Sequence, residues 1–517
     1  MLLVLVACDP VPDAPTPRRT VPAKPSGEAV VSYPEEPVSL NPYVAEGDTI
    51  ATRDALRTVL PTLLTIDPQM KYQRGLATRV PRGKDISRDR KSILYQLDKH
   101  ARWSDGQPIT AEDVRFTWEA IKDSRLPVTR ASYRLLKDVQ VVSPNSVRLV
   151  FEAQVPRWRE ILSAGDFILP KHALEGKDLA RELADGPPVS GGPFLFESWT
   201  KGLEIVLAAN PRWWREGPSL ARMKLQFVPD TEIALGLLEK GRTDVLVSSS
   251  QRGLQGRIDR MDGIEVSSRF GATWWELVFN CSRSPMSDVR FRQAVAAGID
   301  RAGIVEALVR DEGRTLDHLV PGQKSPSSFT RHVKDPASLR ERLKSAGFRE
   351  GEEGRYSKGG APIGISTSST HSLARFVILA IRQNVRNAGL QLELRNSVPE
   401  VLYGRWQASG EFDIALVERR GSPGMSLSGG YRSDRHPNGG RNYSRISSPE
   451  LDGLLDGAEL DIDATGPTME KLAELVPALP IFETKLLIAH QKQISGMDPN
   501  ATVDGPFWNI HLWSRAG

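Results

Sequence analysis

The sequence predicts an α/β protein that contains more than one domain. Its 517 residues exceed what one hydrophobic core usually serves, since domains average roughly 100–200 residues. A hydrophobic fraction of 39% and a charged fraction of 26% are typical of a globular chain. Between residues 361 and 420, strand-like and helix-like patterns alternate, which is typical of an α/β architecture.

The charge balance argues against nucleic acid as a partner. Lysine and arginine number 68 against 64 acidic residues, the net charge is +4, and long runs of one sign are absent. Proteins that bind nucleic acid instead concentrate their basic residues in patches or stripes.

The N-terminus resembles a lipoprotein export signal. The apolar run before Cys8 is far shorter than the roughly 20 residues that span a bilayer, but it suits the apolar part of an export signal. Residues 5–8 resemble a bacterial lipobox, although no positive charge precedes them. We therefore expect residues 1–8 to be a lipoprotein signal with Cys8 as the lipid attachment, and the proline-rich residues 9–28 to be a disordered linker. The alternative is an apolar N-terminus with a buried cysteine.

The stretch RWSDGQPITAEDV, residues 102–114, predicts a strand end, a tight turn and a capped helix. A strand is indicated just before it by apolar alternation over residues 93–97, and Asp105-Gly106 supplies the turn. Thr110 and Asp113 resemble a capping box, and the following apolar residues recur at helical spacing. The acidic residues here are therefore interpreted as turn and cap residues rather than as a catalytic set.

Residues 192–247 predict consecutive strands followed by a helix and a further strand. Lys201-Gly202 indicates a hairpin and Asn210-Pro211 a turn. The helix that begins near Thr231 is predicted to stop at Gly241, before a short buried strand over residues 244–247.

The region 361–420 predicts a strand, helix, strand, helix, strand unit with parallel strands. The inner side of its first helix is expected to carry Leu373, Phe376, Val377, Ala380, Ile381 and Val385. Ligands bind beyond the carboxyl ends of the strands in such sheets. Those ends carry residues 367–371 and 418–424, so we expect Glu418, Arg419 and Arg420 to contact a ligand. The alternative is a solvated loop.

Residues 95–121, YQLDKHARWSDGQPITAEDVRFTWEAI, resemble the signature of the bacterial extracellular solute-binding proteins of family 5. These are the peptide-, dipeptide- and nickel-binding components of ABC importers. Four other segments resemble the family's motifs in the same order, and the resemblance extends from about residue 30 to residue 496. They are EEPVSLNP, GGPFLFESW, NPRWW and LVFNCSRSPMSDVRFRQAVAAGIDRAGIVEAL.

The resemblance implies a two-lobed periplasmic-binding-protein fold (type II, cluster C-like) with an extra inserted subdomain and a hinge of two chain crossings. The implied division is lobe I at 29–49, 186–272 and 488–517, the inserted subdomain at 50–185, and lobe II at 273–487. The lobes close around a solute, and the closed form is delivered to a membrane permease and its ATPase. The implied protein is a monomer in the periplasm or at the outer face of the cytoplasmic membrane, held there through its lipid anchor.

The resemblance also bears on the ligand, with an oligopeptide as the first expectation. Peptide-binding members hold the ligand by backbone pairing, and an aspartate in the loop after the FDIALV-like strand receives its amino group. Here that loop has Glu418 but also Arg419 and Arg420, which would oppose a cationic amine. An acidic ligand, a blocked peptide or a sugar therefore becomes more plausible. On the other lobe, the family points to Glu36, Pro37 and Val38 as ligand-binding residues.

Three tryptophans make a sugar an alternative ligand. Trp274, Trp275 and Trp406 are candidates for the cleft wall, because indole faces stack on sugar rings and on apolar peptide side chains. The alternative for each is core packing.

No enzyme motif is present: HExxH, GxSxG, the P-loop and GxGxxG are all missing. Cys281 is better explained as a small buried residue than as a nucleophile. We therefore expect no catalytic residue, no cofactor and no metal site. An importer component remains the first hypothesis; an oligosaccharide-binding member and a sensory receptor of the same fold are the alternatives, and a metal- or haem-carrying member is the most remote.

Overall fold

The computed structural model describes residues 25–122, 131–320, 328–359, 362–368, 371–407, 409–435 and 440–516. The predicted signal and nearly all of the predicted linker, including Cys8, lie outside the described residues.

Twenty-two strands are formed in the described residues. In chain order they are β1 (Glu28–Tyr33), β2 (Leu64–Ile66), β3 (Tyr72–Arg74), β4 (Ser92–Gln96), β5 (Leu136–Ser143), β6 (Ser146–Phe151), β7 (Phe194–Thr200), β8 (Glu204–Ala209), β9 (Arg222–Phe227), β10 (Val245–Ser249), β11 (Ile264–Arg269), β12 (Thr273–Phe279), β13 (Gly313–Thr315), β14 (Arg349–Glu350), β15 (Tyr356–Ser357), β16 (Gly364–Ser368), β17 (Glu393–Ser397), β18 (Ile414–Arg420), β19 (Ala478–Thr484), β20 (Leu486–Gln491), β21 (Ile494–Ser495) and β22 (Ser514–Arg515).

Helices cover the sheets. In chain order they are α1 (Ile50–Arg57), α2 (Ala111–Lys122), α3 (Lys171–Leu174), α4 (Leu179–Glu182), α5 (Thr231–Glu239), α6 (Leu254–Ile258), α7 (Val289–Gly298), α8 (Arg301–Leu308), α9 (Pro336–Ser345), α10 (Ser372–Asn387), α11 (Ser428–Tyr431), α12 (Pro449–Leu460) and α13 (Thr465–Leu475). The predicted short helix after β17 is a π-helical segment, Glu400–Gln407.

Two large sheets organise the molecule. The first has the strand order β11-β20-β10-β1-β9-β8-β7, and the second has the order β13-β19-β12-β18-β16-β17. The predicted α/β class is confirmed, and β16 pairs in parallel with both β17 and β18, as the pattern of residues 361–420 predicts. The part of the molecule built on each sheet is called the first lobe and the second lobe below.

The chain passes between the sheets twice. The first passage joins Arg269 at the end of β11 to Thr273 at the start of β12, and the second is Lys485 between β19 and β20. Each lobe has its own cluster of buried apolar side chains, one containing Trp103, Phe194 and Trp513 and the other centred on residues 275–482. Many residues between 51 and 183 share the core of the first lobe, so the proposed inserted subdomain is packed continuously with it.

The stretch 102–114 folds as its sequence predicts. The backbone amide of Thr110 donates to Asp113 Oδ2 at 2.8 Å, and Thr110 Oγ1 accepts from the amide of Glu112 at 3.3 Å. Gly106 adopts a φ of +99°, which a residue with a Cβ atom rarely adopts. The apolar stripe of α2 is buried, so these polar residues start a helix that anchors the core.

In helix α10, the apolar pattern predicted part of the buried face incorrectly. Phe376 is 52% exposed although the helical pattern predicts it on the inner face. Ile378 is buried in its place, beside Val377 and Ile381. The pattern therefore predicted the position of the helix correctly but placed Phe376 instead of Ile378 on its buried face.

Among the described residues, no helix combines the length and the apolar character needed to cross a membrane.

Candidate ligand cavity

A cavity between the two lobes contains about 1270 Å³ of empty space, including the space at its opening to solvent. The first lobe contributes Glu35, Asp48, Thr49, Ile50 and Arg53 to its wall. The second lobe contributes residues from β12, the end of β18 and the segments 425–431 and 441–444.

Strand ends and a helix start position the polar wall residues. Glu35 follows the end of β1, while Glu418, Arg419 and Arg420 form the carboxyl end of β18. Thr49 caps α1 by accepting from the amide of Thr52 at 3.2 Å. The cavity thus lies beyond the carboxyl ends of β1 and β18, where an α/β sheet binds its ligand.

Five of the predicted site residues line this cavity: Trp274, Trp275, Glu418, Arg419 and Arg420. Both tryptophans are buried. Trp274 Nε1 donates to Glu276 Oε2 at 3.0 Å, and the Trp275 ring meets the His371 ring edge-on at 4.9 Å between centroids. Burial lowers the pKa of His371, so its imidazole is neutral at pH 7.

The other four predicted residues lie outside the cavity wall. The Glu36 carboxylate accepts hydrogen bonds from Trp199 Nε1 and from the amide of Gly202, both at 2.9 Å. Pro37 is buried, Val38 is half-buried, and Trp406 packs against the second core from the π-helical segment. A direct ligand contact by these four therefore stays a prediction.

The arginines of the wall are neutralised by acidic residues. Arg420 Nη1 lies 2.6 Å from Asp54 Oδ2, and Arg419 Nε lies 3.1 Å from Glu276 Oε1. Burial alone would lower the pKa of each guanidinium, but its carboxylate partner more than offsets this and holds the pKa above its ordinary value. The two arginines therefore do not present free positive charge to a ligand.

Asp48 is shared between the remaining two arginines of the wall. Its carboxylate contacts both Arg53 and Arg441. Every arginine in the wall of this cavity thus has a carboxylate within ion-pair distance.

Two carboxylates of the wall have no cationic partner among the described residues. Glu418 Oε1 accepts from Ser249 Oγ at 2.6 Å but forms no ion pair there. Glu35 Oε1 is buried and has no hydrogen-bond partner in the described chain. Burial, and then repulsion from Glu418 and Glu400, raises the pKa of Glu35 to about 8. These two carboxyl groups are therefore the ones in the wall that are available to a cationic group on the ligand.

Sequence reasoning missed Glu35 and chose its neighbour. The segment YPEEP contains two adjacent glutamates with a proline on each side. These prolines restrict the backbone without indicating which glutamate side chain faces the cleft. The one available signal was that Glu35 lies closer to the carboxyl end of β1.

Contacts across the cleft show that the structure is a closed form. Arg420 and Asp54 join the lobes, and so do Ser249 with Glu418 and Arg441 with Asp48. Away from the cavity wall, Glu160 of the first lobe accepts from the amide of Gly424 at 3.0 Å and from Ser422 Oγ.

Within the described ranges, no group of three or more histidine, cysteine, aspartate or glutamate residues is placed to hold a metal ion.

Comparison with known proteins identifies a family. The model described as bacterial extracellular solute-binding proteins, family 5 middle, matches residues 71–439. The oligopeptide-binding protein OppA of Mycobacterium bovis is 24% identical over 515 residues, covering 95% of this chain and 85% of that protein.

Solved structures share the fold. The oligopeptide-binding protein AppA of Bacillus subtilis, in complex with a nonapeptide, superposes with a TM-score of 0.85 at 19% identity and covers 96% of this chain and 100% of its own. NikZ of Campylobacter jejuni, in complex with Ni(L-His), superposes with a TM-score of 0.80 at 21% identity and covers 94% and 99%. One fold thus serves chemically different ligands, and the ligand must be inferred from the cavity.

Proposed function

Because the chain belongs to the bacterial extracellular solute-binding proteins of family 5, we propose that it captures a peptide-like solute between its lobes and delivers it to an ABC importer. The names of the relatives support a peptide as the solute class. The size of the cavity and its tryptophans suit apolar side chains of a short peptide.

The observation that carries this proposal is the unpaired acidic couple, Glu35 and Glu418. A peptide with a free N-terminus carries an ammonium group, which Glu418 and Glu35 bind through charge-assisted hydrogen bonds once the Glu35 carboxyl has released its proton. Because Arg419 and Arg420 already have carboxylate partners, they do not repel that group. An acidic ligand, which the sequence made more plausible, is disfavoured by the same charge balance.

The first test is native mass spectrometry of protein purified without refolding. A co-purified peptide supports the proposal. A co-purified sugar supports the oligosaccharide-binding alternative, which the buried faces of Trp274 and Trp275 keep open.

The second test separates Glu35 from its neighbour. Calorimetric titration with a synthetic pentapeptide is expected to lose about tenfold in affinity in Glu35→Gln, since a charge-assisted hydrogen bond contributes about 1.5–3 kcal/mol. Glu36→Gln is the matched control, because that carboxylate is bound to Trp199 and Gly202 outside the cavity wall. The same peptide with an acetylated N-terminus should bind weakly to every form, and equal binding of both peptides contradicts an amino-group site.

The remaining parts of the proposal concern the setting of the protein. We propose a lobe division at residues 272–273 and at Lys485, two residues before the boundary at 487–488 that the sequence implies, because β20 belongs to the first sheet. We also propose a lipid anchor at Cys8 and a monomeric state. The family description supports a place outside the cytoplasm. Membership in a solute-binding family also favours binding without bond chemistry over an enzymatic role. Mass spectrometry of membrane-extracted protein would detect the acyl chains on Cys8.

A further inference from the structure

A second cavity, here called the tryptophan cavity, lies in the first lobe and shares no wall residue with the cavity between the lobes. It contains about 460 Å³ of empty space. Its polar wall is formed by Trp213, Trp214 and Arg215 after β8, by Arg57 at the end of α1, and by His511 near the C-terminus. None of its wall residues in the described chain is aspartate or glutamate.

The two arginines of this cavity differ in their partners. Arg57 forms an ion pair with Asp504, and its Nη1 donates to Thr62 Oγ1 at 2.8 Å. Arg215 forms no ion pair with any described residue; its guanidinium donates to the backbone carbonyl of Gly75. Burial, and then repulsion from Arg74, lowers the pKa of Arg215 to about 10, which leaves it charged at pH 7. The Asp98 carboxylate partly offsets this lowering but forms no ion pair with Arg215. A half-buried cation without a contacting counterion favours the binding of an anion.

The indole groups add hydrogen-bond donors. Nε1 of Trp213 and Nε1 of Trp214 are both buried, and neither has a hydrogen-bond acceptor among the described residues. Buried donors are satisfied in nearly all proteins, so these two N–H groups are available to an acceptor from outside the chain. The two rings lie 4.2 Å apart between centroids and are inclined at 48°, so they present apolar faces as well as donors.

His511 does not supply a second charge. Burial, and then the positive charges of Arg215 and Arg74, lowers its pKa to about 4, so the imidazole is neutral at pH 7. The cavity therefore combines a cation that forms no ion pair with a described residue, two indole N–H groups that have no acceptor among the described residues, and aromatic walls.

We propose that the tryptophan cavity binds a small organic carboxylate with a flat apolar body. The carboxylate accepts from the guanidinium of Arg215 and from the indole N–H groups, while the apolar body packs on the rings of Trp213 and Trp214. This site is independent of the solute that fills the cavity between the lobes.

Fluorine NMR of the full-length protein with para-fluorobenzoate tests the proposal. The probe resonance is expected to broaden saturably on addition of protein, whereas the neutral isostere para-fluorobenzamide is expected to stay sharp. Arg215→Gln should weaken probe binding at least about tenfold, and Trp214→Phe, which keeps the ring but removes the donor, about fivefold.

Arg212→Gln is the matched control. Arg212 is exposed in the same loop, lies outside the cavity wall, and donates to the carbonyl of Ser104 at 2.6 Å. Its variant should bind the probe as the unmodified protein does. The proposal is overturned when the probe does not bind, when the amide binds equally well, or when Arg215→Gln retains full affinity. Should Arg215→Gln lose its cooperative thermal transition, Trp214→Phe decides on the same criteria.

Discussion

The two cavities of this protein have opposite charge balances, although both contain arginine and tryptophan. In the cavity between the lobes, every wall arginine has an acidic partner, and two carboxylates, Glu35 and Glu418, form no ion pair with a described residue. In the tryptophan cavity, Arg215 forms no ion pair within the described ranges, and no wall residue carries a carboxylate. The comparison teaches that residue type alone does not set ligand charge; the charges left over after internal pairing do.

The largest effect is expected from breaking the internal pairing in the first cavity. Asp54→Asn leaves Arg420 buried without its carboxylate. It also leaves one amide oxygen to accept from both Arg420 and Tyr33 Oη, which donates to Asp54 Oδ2 at 2.6 Å. Loss of one partner of a buried ion pair costs about 3–5 kcal/mol. We expect the free energy of unfolding to fall by that amount in urea titrations, and peptide affinity to fall because an uncompensated cation faces the ligand.

Arg115→Gln is the surface control for this change. The Arg115–Glu119 pair has N and O atoms 2.9 Å apart and both side chains largely exposed. Its loss should leave the free energy of unfolding nearly unchanged, because solvent screens an exposed ion pair. Equal costs for the two variants would contradict the role assigned to the pair between Arg420 and Asp54.

An intermediate effect is expected from pH. The pKa of Glu35 is raised to about 8 in the closed form, so this carboxyl holds a proton at neutral pH that an ammonium group must displace. Peptide affinity should therefore rise as pH increases from 6 to 8, by up to about tenfold per unit, with release of up to one proton. Calorimetry in two buffers of different ionisation enthalpy measures that proton, and Glu35→Gln should abolish the dependence.

The raised pKa of Glu35 also makes the stability of the ligand-free closed form depend on pH. A group whose pKa is raised on closure binds more protons in the closed form than in the unfolded chain. The stability that it confers on the empty closed form is present below about pH 4 to 5 and is lost as pH approaches 8. X-ray scattering of ligand-free protein should accordingly show a larger radius of gyration at pH 8 than at pH 5, and no change with pH would contradict this sign.

The smallest effect is expected outside both cavities. Thr110→Ala removes the cap of α2, which should lower the free energy of unfolding by about 1 kcal/mol. Neither peptide affinity nor probe affinity should change, because Thr110 lines neither cavity. Altered binding in this variant would show that the capped helix is coupled to a site.

Much of the fold and part of the site could be predicted from the sequence. Helix α2, the hairpin at Gly202 and the parallel unit of β16, β17 and β18 all depend on neighbouring residues, whose spacing is readable in the chain. The same parallel unit led to Glu418, Arg419 and Arg420 as wall residues, since their position follows from being at a strand end. The inward face of α10 could not be predicted fully from the sequence, because an apolar residue such as Phe376 is tolerated on the surface.

The sequence by itself determined the elements, the family resemblance and the strand end where the wall residues cluster, because these depend on contacts between near neighbours. Only the tertiary structure decided which charges remain free. Asp54 lies 366 positions from Arg420, and Glu276 lies 143 positions from Arg419, so neither pairing is visible as a local pattern. Glu35 and Arg215 differ from the other charged wall residues for the same physical reason: folding placed counterions in contact with their neighbours, whereas neither of these two forms an ion pair with a described residue.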